Sequence, residues 1–377
     1  MCGIPAPAAF AKSAILAKSK AKGAWAVASG AREQLNSNIA PRGGVGAGGT
    51  GEGAGGRASP VYAALDLGTN NCRLLIAKPA GRGFRVVDSF SRIVRLGEGL
   101  AQSGRLSDDA IERTLAALAV CRGKMDARGV SRARLIATEA CRSASNGVAF
   151  LRRVTDEVGL DLEIIDRRTE AHLASAGCRE LADPEALSLL LFDIGGGSTE
   201  LVLMERGSRG VHGVTAWDSL RLGVVTMAET FGGIHVDVED YDEMVAHVDA
   251  AMAPFMGQIT HHKPCEKFHL LGTSGTVTTV AGVHLNLPRY ERRAVDGLWL
   301  GHHAVEAAMA RLRAMSYAER VSHACIGAER ADLVLPGCAI FDAIRARFPA
   351  RRLRVGDRGL REGMLAQLMV EDRQGAA

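Results

Sequence analysis

Residues 62–76 read YAALDLGTNNCRLLI, and residues 190–203 read LLFDIGGGSTELVL. When Asp66 is aligned with Asp193, each stretch contains an apolar strand that ends in aspartate, a glycine-rich tight turn and a second apolar strand. We interpret this repeat as one hairpin in each of two related halves of the chain. The repeat predicts two turns that face one another across an interdomain cleft and hold one polyanion from both sides.

Turns of this composition are suited to binding phosphate. Glycine permits positive φ and close approach of the backbone, so several N–H groups can point at one anion. Neither turn is a Walker A loop. A single Asp-x-Gly turn is as often an ordinary hairpin, whereas two copies in matching contexts favour a shared ligand. The candidate substrate-binding residues in the turns are Gly68, Thr69, Asn70, Gly195, Gly196, Gly197, Ser198 and Thr199.

Three carboxylates indicate a hard cation beside these turns. Asp66 and Asp193 directly follow hydrophobic strands, where an unpaired carboxylate is costly. Glu200 follows Asp193 at the position that Arg73 occupies after Asp66. Mg²⁺ prefers a few carboxylates together with water and phosphate oxygens. We therefore predict that Mg²⁺ is a cofactor held by Asp66, Asp193 and Glu200, and that Arg73 binds the substrate. Capping of the turns alone would explain the two aspartates but not Glu200.

The chain from Val61 onward has the sequence pattern of a mixed α/β protein, because apolar runs separated by Gly and Asp alternate with amphipathic stretches. No run approaches the roughly 20 apolar residues that a membrane-spanning helix needs. The 8 cysteines are scattered without metal-binding spacing, as is typical of a reducing cytosol. We expect a cytoplasmic protein with no membrane partner.

The first 58 residues differ from the rest of the chain. They are rich in Ala, Ser, Lys and Gly, and nine of the fourteen positions over 43–56 are glycine. Such a segment cannot bury enough apolar surface to offset its ordering entropy. We predict a disordered basic tail over residues 1–58 that can be removed without loss of fold, although a targeting sequence stays open. The tail carries a charge of +5 and the remainder −1, without a basic stripe, which argues against a nucleic-acid partner.

Eight stretches, in order along residues 61–371, resemble the Ppx/GppA family of exopolyphosphatases and guanosine pentaphosphate phosphohydrolases. They are ALDLGTNNCRLLI, LGEGLAQSGRLS, ATEACRSASNG, EIIDRRTEAHLASAG, LLFDIGGGSTELVL, SLRLGVV, LLGTSGTVTTVAG and LRVGDRGLREGML. The resemblance implies two α/β domains of the actin-like ATPase (ribonuclease H-like) fold, which we place at residues 61–185 and 186–377, in a short two-domain form. It also implies hydrolysis of inorganic polyphosphate or of guanosine pentaphosphate, a nucleotide of the stringent response.

The resemblance makes Glu170 the expected general base, which orients and deprotonates the attacking water. Two departures from the family pattern lie nearby: His172 stands where the family usually has arginine, and residues 166–169 read DRRT instead of a Ser-Gly pair with further acidic residues. The other residues that the resemblance assigns to substrate binding are Arg142, Ser143, Gly272, Thr273 and Ser274.

Two other functions stay open. An ATP-dependent sugar or acid kinase of the same superfamily would share the fold and the phosphate loops, although its base is usually an aspartate and it would lack the ATEACRSASNG and TEAHLASAG stretches. A non-catalytic regulator that binds guanosine polyphosphates is compatible with the departures around Glu170. The sequence leaves open which phosphoanhydride is preferred, whether hydrolysis is processive and whether the chain forms a homodimer.

Overall fold

A computed structural model of the chain describes residues 59–81, 83–208, 210–261 and 266–375. The basic tail predicted for residues 1–58 lies outside this described part. Within it, none of the helices combines the length and the apolar composition that crossing a membrane would require.

The strands of the described residues form two sheets, with orders β3-β2-β1-β4-β5 and β10-β11-β9-β6-β7-β8. Their bounds are β1 (Tyr62–Leu67), β2 (Asn71–Ala80), β3 (Gly83–Ile93), β4 (Arg132–Ala137), β5 (Glu163–Ile164), β6 (Ser188–Ile194), β7 (Thr199–Arg206), β8 (His212–Leu220), β9 (Phe268–Thr273), β10 (Trp299–Gly301) and β11 (Arg352–Val355).

The helices of the described residues cover the two sheets. Their bounds are α1 (Leu100–Ser103), α2 (Asp108–Ala127), α3 (Glu139–Ser143), α4 (Gly147–Val158), α5 (Arg167–Cys178), α6 (Val224–Phe231), α7 (Val238–Ala251), α8 (Ala253–Gln258), α9 (Ser274–His284), α10 (Arg292–Val295), α11 (His302–Ala314), α12 (Tyr317–Ser322), α13 (Val334–Arg347) and α14 (Leu360–Gly375).

The two sheets repeat one topology, as the sequence repeat predicts. In the first, β1 and β2 form an antiparallel hairpin with Asp66 opposite Arg73, and β1 runs parallel to β4. In the second, β6 and β7 form the matching hairpin with Asp193 opposite Glu200, and β6 runs parallel to β9. All residues of β6 are buried, which is the expected pattern for a strand covered on both faces.

Each sheet has its own hydrophobic core. In the first, Leu65 and Leu74 pack with Leu118 of α2 and Phe150 of α4. The second core is larger, and its central members are Leu190, Phe192, Met244, Val248, Val280, Ile340 and Phe341. The rings of Phe192 and Phe341 stack with centroids 5.2 Å apart, which fixes α13 against β6.

Helices α5 and α14 lie between the sheets. Leu365 and Leu368 of α14 pack with Leu173 of α5 on the first sheet, whereas Ala171 and Cys178 of α5 pack on the second. Helix α5 therefore contacts both halves, and the chain returns to the first half at its last helix. The domain boundaries 61–185 and 186–377 stay a prediction: the strands of the two sheets fall on either side of residue 185, while α14 packs on the first.

The crossing of α5 and α14 is a backbone-to-backbone contact. A Cβ added at Gly177 would lie 2.0 Å from the carbonyl oxygen of Gly359, and one added at Gly363 would lie 2.1 Å from that of Leu173. Real Cβ atoms do not approach oxygen so closely, and a backbone oxygen cannot move aside as a flexible side chain can. Glycine at both positions therefore sets the distance between the helices that join the halves.

Replacement of Gly363 by alanine should destabilise the protein, because α14 would have to move away from α5. We expect Gly363→Ala to lower the free energy of unfolding by about 1–3 kcal/mol, measured by denaturant unfolding. Gly123→Ala is the matched control: Gly123 lies within α2, and a Cβ there would meet no atom within 4 Å, so this change should stabilise by about 0.5–1 kcal/mol. Equal effects of the two substitutions would contradict the tight crossing.

Candidate functional site

The two glycine-rich turns are in contact with one another in the cleft between the sheets. A Cβ added at Gly196 would lie 3.0 Å from the Cβ of Thr69 and 3.1 Å from the backbone nitrogen of Asn70. One added at Gly197 would lie 2.6 Å from Thr69 Oγ1. The structure thus brings together the predicted residues of both turns, and a side chain at Gly196 or Gly197 would crowd the first turn.

The third predicted loop, residues 272–274, ends β9 and begins α9 beside the second turn. Parallel pairing of β6 with β9 places Thr273 next to Asp193, and the Ser274 side chain donates a hydrogen bond to the Asp193 carboxylate. Ser274 has φ 78, a left-handed conformation that non-glycine residues seldom adopt and that concentrates at functional sites. The three predicted loops therefore converge on one region.

Four carboxylates lie close enough in this region to repel one another. Burial raises the pKa of Asp193 to about 6. Burial, with the nearby charge of Asp193, raises the pKa of Glu200 to about 7. Burial and then the charge of Glu200 raise the pKa of Glu170 well above its ordinary value, and burial raises the pKa of Asp66. Such a site favours a bound cation or proton.

The carboxylates suit a cation that takes few protein ligands. Within the described residues, no group of three or more His, Cys, Asp or Glu side chains is arranged to hold one metal ion. Mg²⁺ usually takes one or two carboxylates and completes its octahedron with water and phosphate oxygens. Asp66, Asp193 and Glu200 offer only oxygen atoms as ligands, and their carboxylates repel one another. Both properties fit that mode of binding. Their assignment as ligands stays a prediction.

Glu200 is held in place by two hydroxyl groups. Ser219 Oγ donates to Glu200 Oε1 at 2.9 Å, and the Ser198 side chain donates to the same carboxylate. Ser219 lies directly opposite Glu200 because β8 pairs with β7. Sequence reasoning assigned no role to Ser219, although it lies in the SLRLGVV stretch of the resemblance, because β8 was not recognised as a strand.

Glu170 lies in the first turn of α5 and is 6% exposed. The helix begins beside it because the Asp166 side chain accepts a hydrogen bond from the Thr169 backbone N–H at 2.7 Å. Glu170 Oε2 accepts from Arg142 Nη2 at 3.0 Å. Arg142 and Ser143, predicted to bind substrate, both donate to Glu139.

Two buried arginines lie within electrostatic reach of Arg73, which follows the first glycine-rich turn. Burial and then the charge of Arg73 lower the pKa of Arg330; burial lowers the pKa of Arg361, where the charge of Glu362 opposes the shift and that of Arg73 adds to it. Arg330 Nη2 donates to the Cys325 carbonyl at 2.7 Å, which leaves Nη1 near the third loop, 3.5 Å from the position of a Cβ on Gly275. Guanidinium groups that repel one another mark a place for an anion. Sequence reasoning missed Arg330, which carries no local glycine or aspartate signal.

The sequence model of a family described as the Ppx/GppA phosphatase family matches residues 75–372. A guanosine-5'-triphosphate,3'-diphosphate pyrophosphatase of Photobacterium profundum is 28% identical over 84% of this chain and 60% of its own length. An exopolyphosphatase 2 of Mycobacterium tuberculosis is 28% identical over 81% of this chain and 98% of its own length. The chain thus spans less than two thirds of the first relative.

Two solved structures are similar to this fold over most of their length. A Ppx/GppA family member of Aquifex aeolicus has a TM-score of 0.69 at 28% identity and covers 84% of this chain and 99% of its own. An exopolyphosphatase of Cytophaga hutchinsonii has a TM-score of 0.75 at 25% identity and covers 82% of this chain and 98% of its own. The predicted α/β fold with two actin-like halves is confirmed.

The raised pKa of Glu200 predicts a pH-dependent effect of neutralising it. Burying the ionised carboxylate costs nothing below its ordinary pKa of 4.5, and the cost grows until the pH passes about 7. Glu200→Gln should therefore raise the free energy of unfolding by about 1–3 kcal/mol at pH 8 without Mg²⁺, and little at pH 4.5.

Thermal unfolding at both pH values measures this effect. The control is Glu112→Gln, whose side chain on α2 is 64% exposed and which should change stability little at either pH. A Glu200→Gln protein that is equally destabilised at pH 4.5 and pH 8 would show that burial of the ionised carboxylate does not lower the free energy of unfolding.

Proposed function

Because the chain belongs to the Ppx/GppA phosphatase family, we propose that it hydrolyses the terminal phosphoanhydride bond of inorganic polyphosphate or of guanosine pentaphosphate. The observation that carries the proposal is the contact between the two glycine-rich turns, together with a buried carboxylate, Glu170, that lies within electrostatic reach of Asp66 and Glu200. The names of the relatives support both substrates, since one is a guanosine pyrophosphatase and another an exopolyphosphatase.

The terminal phosphates would lie beside the touching turns, where backbone N–H groups of the turn tips, residues 69–70 and 196–198, would supply donors; the N–H groups of Gly68 and Gly195 are bonded within their own turns. Arg73 and Arg330 would supply positive charge beside the loops, since Arg73 follows the first turn in β2 and Arg330 Nη1 lies near the third loop. After burial, the charge of Arg73 lowers the pKa of Arg330, and a bound anion would offset that repulsion. A chain of phosphates, which carries about one charge per unit, suits such guanidinium groups.

Glu170 would act on the attacking water. Hydrolysis forms a bond between the water oxygen and the terminal phosphorus and breaks the anhydride bond, while the carboxylate accepts the water proton. A base works best when its pKa lies near the working pH. Burial and the charge of Glu200 move the pKa of Glu170 upward in that direction, and Arg142 limits the shift.

Mg²⁺ would be held by one or two carboxylates among Asp66, Asp193 and Glu200, with water and phosphate oxygens as its other ligands. When bound, the ion would supply positive charge that offsets the charge of the phosphates. The residues themselves support this role, because their carboxylates repel one another in the absence of a cation. Within the part of the chain that the structure describes, six cysteines are buried free thiols, which supports a cytoplasmic location as part of the proposal.

Glu170→Gln should abolish or strongly reduce phosphate release, because the amide keeps the shape but cannot accept the proton. With tripolyphosphate, long-chain polyphosphate and guanosine pentaphosphate as substrates and Mg²⁺ present, we expect a fall in kcat of about 10²–10⁴-fold with a similar KM. The control is Glu180→Gln, whose side chain is 82% exposed. Turnover within about threefold of the parent would refute the assignment. Phosphate transfer from ATP to a sugar, without phosphate release, would instead support a kinase.

Removal of divalent metal should stop the reaction. We expect a chelator to abolish phosphate release and added Mg²⁺ to restore it, and we expect Asp193→Asn to need a higher Mg²⁺ concentration for half-maximal rate. Asp126→Asn, an exposed position on α2, is the control and should leave the Mg²⁺ requirement unchanged. Full activity in excess chelator would exclude the predicted metal role of all three carboxylates.

A further inference from the structure

We propose that Glu139 is a positioning residue: it holds the Arg142 guanidinium against the Glu170 carboxylate, so that Arg142 orients the base instead of binding substrate phosphate. The inference rests on the proposed function. It revises the role that the sequence resemblance implies for Arg142 and Ser143, and it gives a role to an acidic residue that neither sequence reasoning nor the reaction uses.

The Glu139 carboxylate is the centre of a buried hydrogen-bond network. Its Oε1 accepts from Ser143 Oγ at 2.5 Å and from Arg167 Nη2 at 2.9 Å. Its Oε2 accepts from Arg142 Nε at 3.1 Å, from Arg142 Nη2 at 2.6 Å and from Arg167 Nη2 at 3.0 Å. Burial works to raise the pKa of Glu139, but these donors outweigh it and lower the pKa, so the side chain is ionised at neutral pH.

The Arg142 guanidinium is almost fully occupied. Besides the two bonds to Glu139, Nη1 donates to the Ile165 carbonyl at 2.7 Å and Nη2 donates to Glu170 Oε2 at 3.0 Å. Of the five N–H groups of an arginine, one is left without a partner among the described residues. Bidentate binding of a phosphate needs two parallel donors. A phosphate could gain them only by displacing Glu139 or Glu170.

The network connects the base to the turns. Glu139, Arg142 and Ser143 lie on α3, whereas Arg167 begins α5, the helix that carries Glu170. The Glu139 side chain also contacts the second glycine-rich turn, since a Cβ on Gly197 would lie 3.2 Å from Glu139 Cγ. Glu139 therefore links α3, the start of α5 and the second glycine-rich turn. The relative placement of these three elements decides where Glu170 lies with respect to the bound phosphates.

Charge balance separates two groups of arginines. Glu139 and Glu170 neutralise Arg142 and Arg167, and the Arg142 ion pairs are mostly buried. A phosphate inserted here would stand beside the Glu139 carboxylate, which repels it. Arg330, by contrast, has no acidic partner in a hydrogen bond within the described part of the chain: its Nη2 donates to the Cys325 carbonyl, its Nη1 lies near the third loop, and the charge of Arg73 lowers its pKa. We therefore assign phosphate binding to Arg73 and Arg330, and orientation of the base to Arg142.

Two substitutions test the inference in the full chain, with tripolyphosphate and Mg²⁺. Glu139→Gln places an amide N–H₂ where a carboxylate oxygen faces arginine donors, which releases one side of the network. Arg142→Lys keeps the charge, but one ammonium group cannot reach Glu139, Glu170 and Ile165 together. We expect each change to lower kcat by about 10–100-fold, because misplacing a catalytic group by about 1 Å has effects of this size, and to change KM by less than about threefold.

The matched control is Glu157→Gln, which also breaks an Arg–Glu pair, but on the exposed face of α4, where the Glu157 side chain is 48% exposed. It should leave both constants unchanged. A tenfold or larger rise in KM for Arg142→Lys with kcat preserved would assign Arg142 to phosphate and overturn the inference. Unchanged kcat in a folded Glu139→Gln protein would overturn it as well, and if that protein does not fold, Arg142→Lys decides alone.

Binding of tripolyphosphate separates this inference from the proposed function. In a Glu170→Gln background, calorimetric titration should give the same Kd with and without the additional Arg142→Lys substitution, since the turns and the other arginines bind the phosphates. A Kd raised tenfold or more by Arg142→Lys in this background would overturn the inference, whatever the activity. A parent protein that binds tripolyphosphate but releases no phosphate from any substrate would overturn the proposed function instead.

Discussion

The absence of side chains at Gly196 and Gly197 lets the two glycine-rich turns approach closely. A Cβ at Gly196 would crowd Thr69 and Asn70 of the other turn, and one at Gly197 would require the Thr69 side chain to move. This contact joins the ends of two hairpins that belong to different sheets, and it brings the aspartate of each hairpin into the same small volume. The positions of the loops, the carboxylates and the arginines around them all depend on this approach.

The close approach of the turns places carboxylates near carboxylates and guanidinium groups near guanidinium groups, and the protein alone does not offset their repulsion. Asp193 and Glu200 have a raised pKa because burial and neighbouring carboxylates disfavour their ionised forms, while Arg330 and Arg361 have a lowered pKa through burial and the charge of Arg73. Groups of each sign are thus held near others of the same sign. A bound cation and a bound anion would relieve the repulsion of each kind, as expected of a binding site that is preorganised for ligands.

The elements that could be predicted from the sequence are those with a local signal. The strand, aspartate and glycine turn occur within a short stretch, so the two hairpins and the matching positions of Glu200 and Arg73 followed from the repeat, whereas the pairing of Asp193 with Glu200 comes from the structure. Strand β8 was not recognised, and with it the bond from Ser219 to Glu200 was missed. Arg330 and Glu139 have no local signal, because their roles arise from residues that are distant in sequence, such as Arg73 and Arg167. The motif placed Arg142 in the site, but only the contacts around its guanidinium show what occupies it.

The packing of helix α5 on both sheets explains why Glu170 needs a separate hydrogen-bond network to orient its side chain. One face of the helix packs on the first sheet through Leu173, and the other packs on the second through Ala171 and Cys178. Any displacement between the halves therefore changes the position of Glu170 relative to at least one turn. Bonds from Arg142 and Arg167 tie the start of α5 to Glu139, and Glu139 touches the second turn at Gly197. The proposed base is thereby tied to the second turn as well as to the two sheets, so its position relative to the turns depends on the same close contact that brings the turns together.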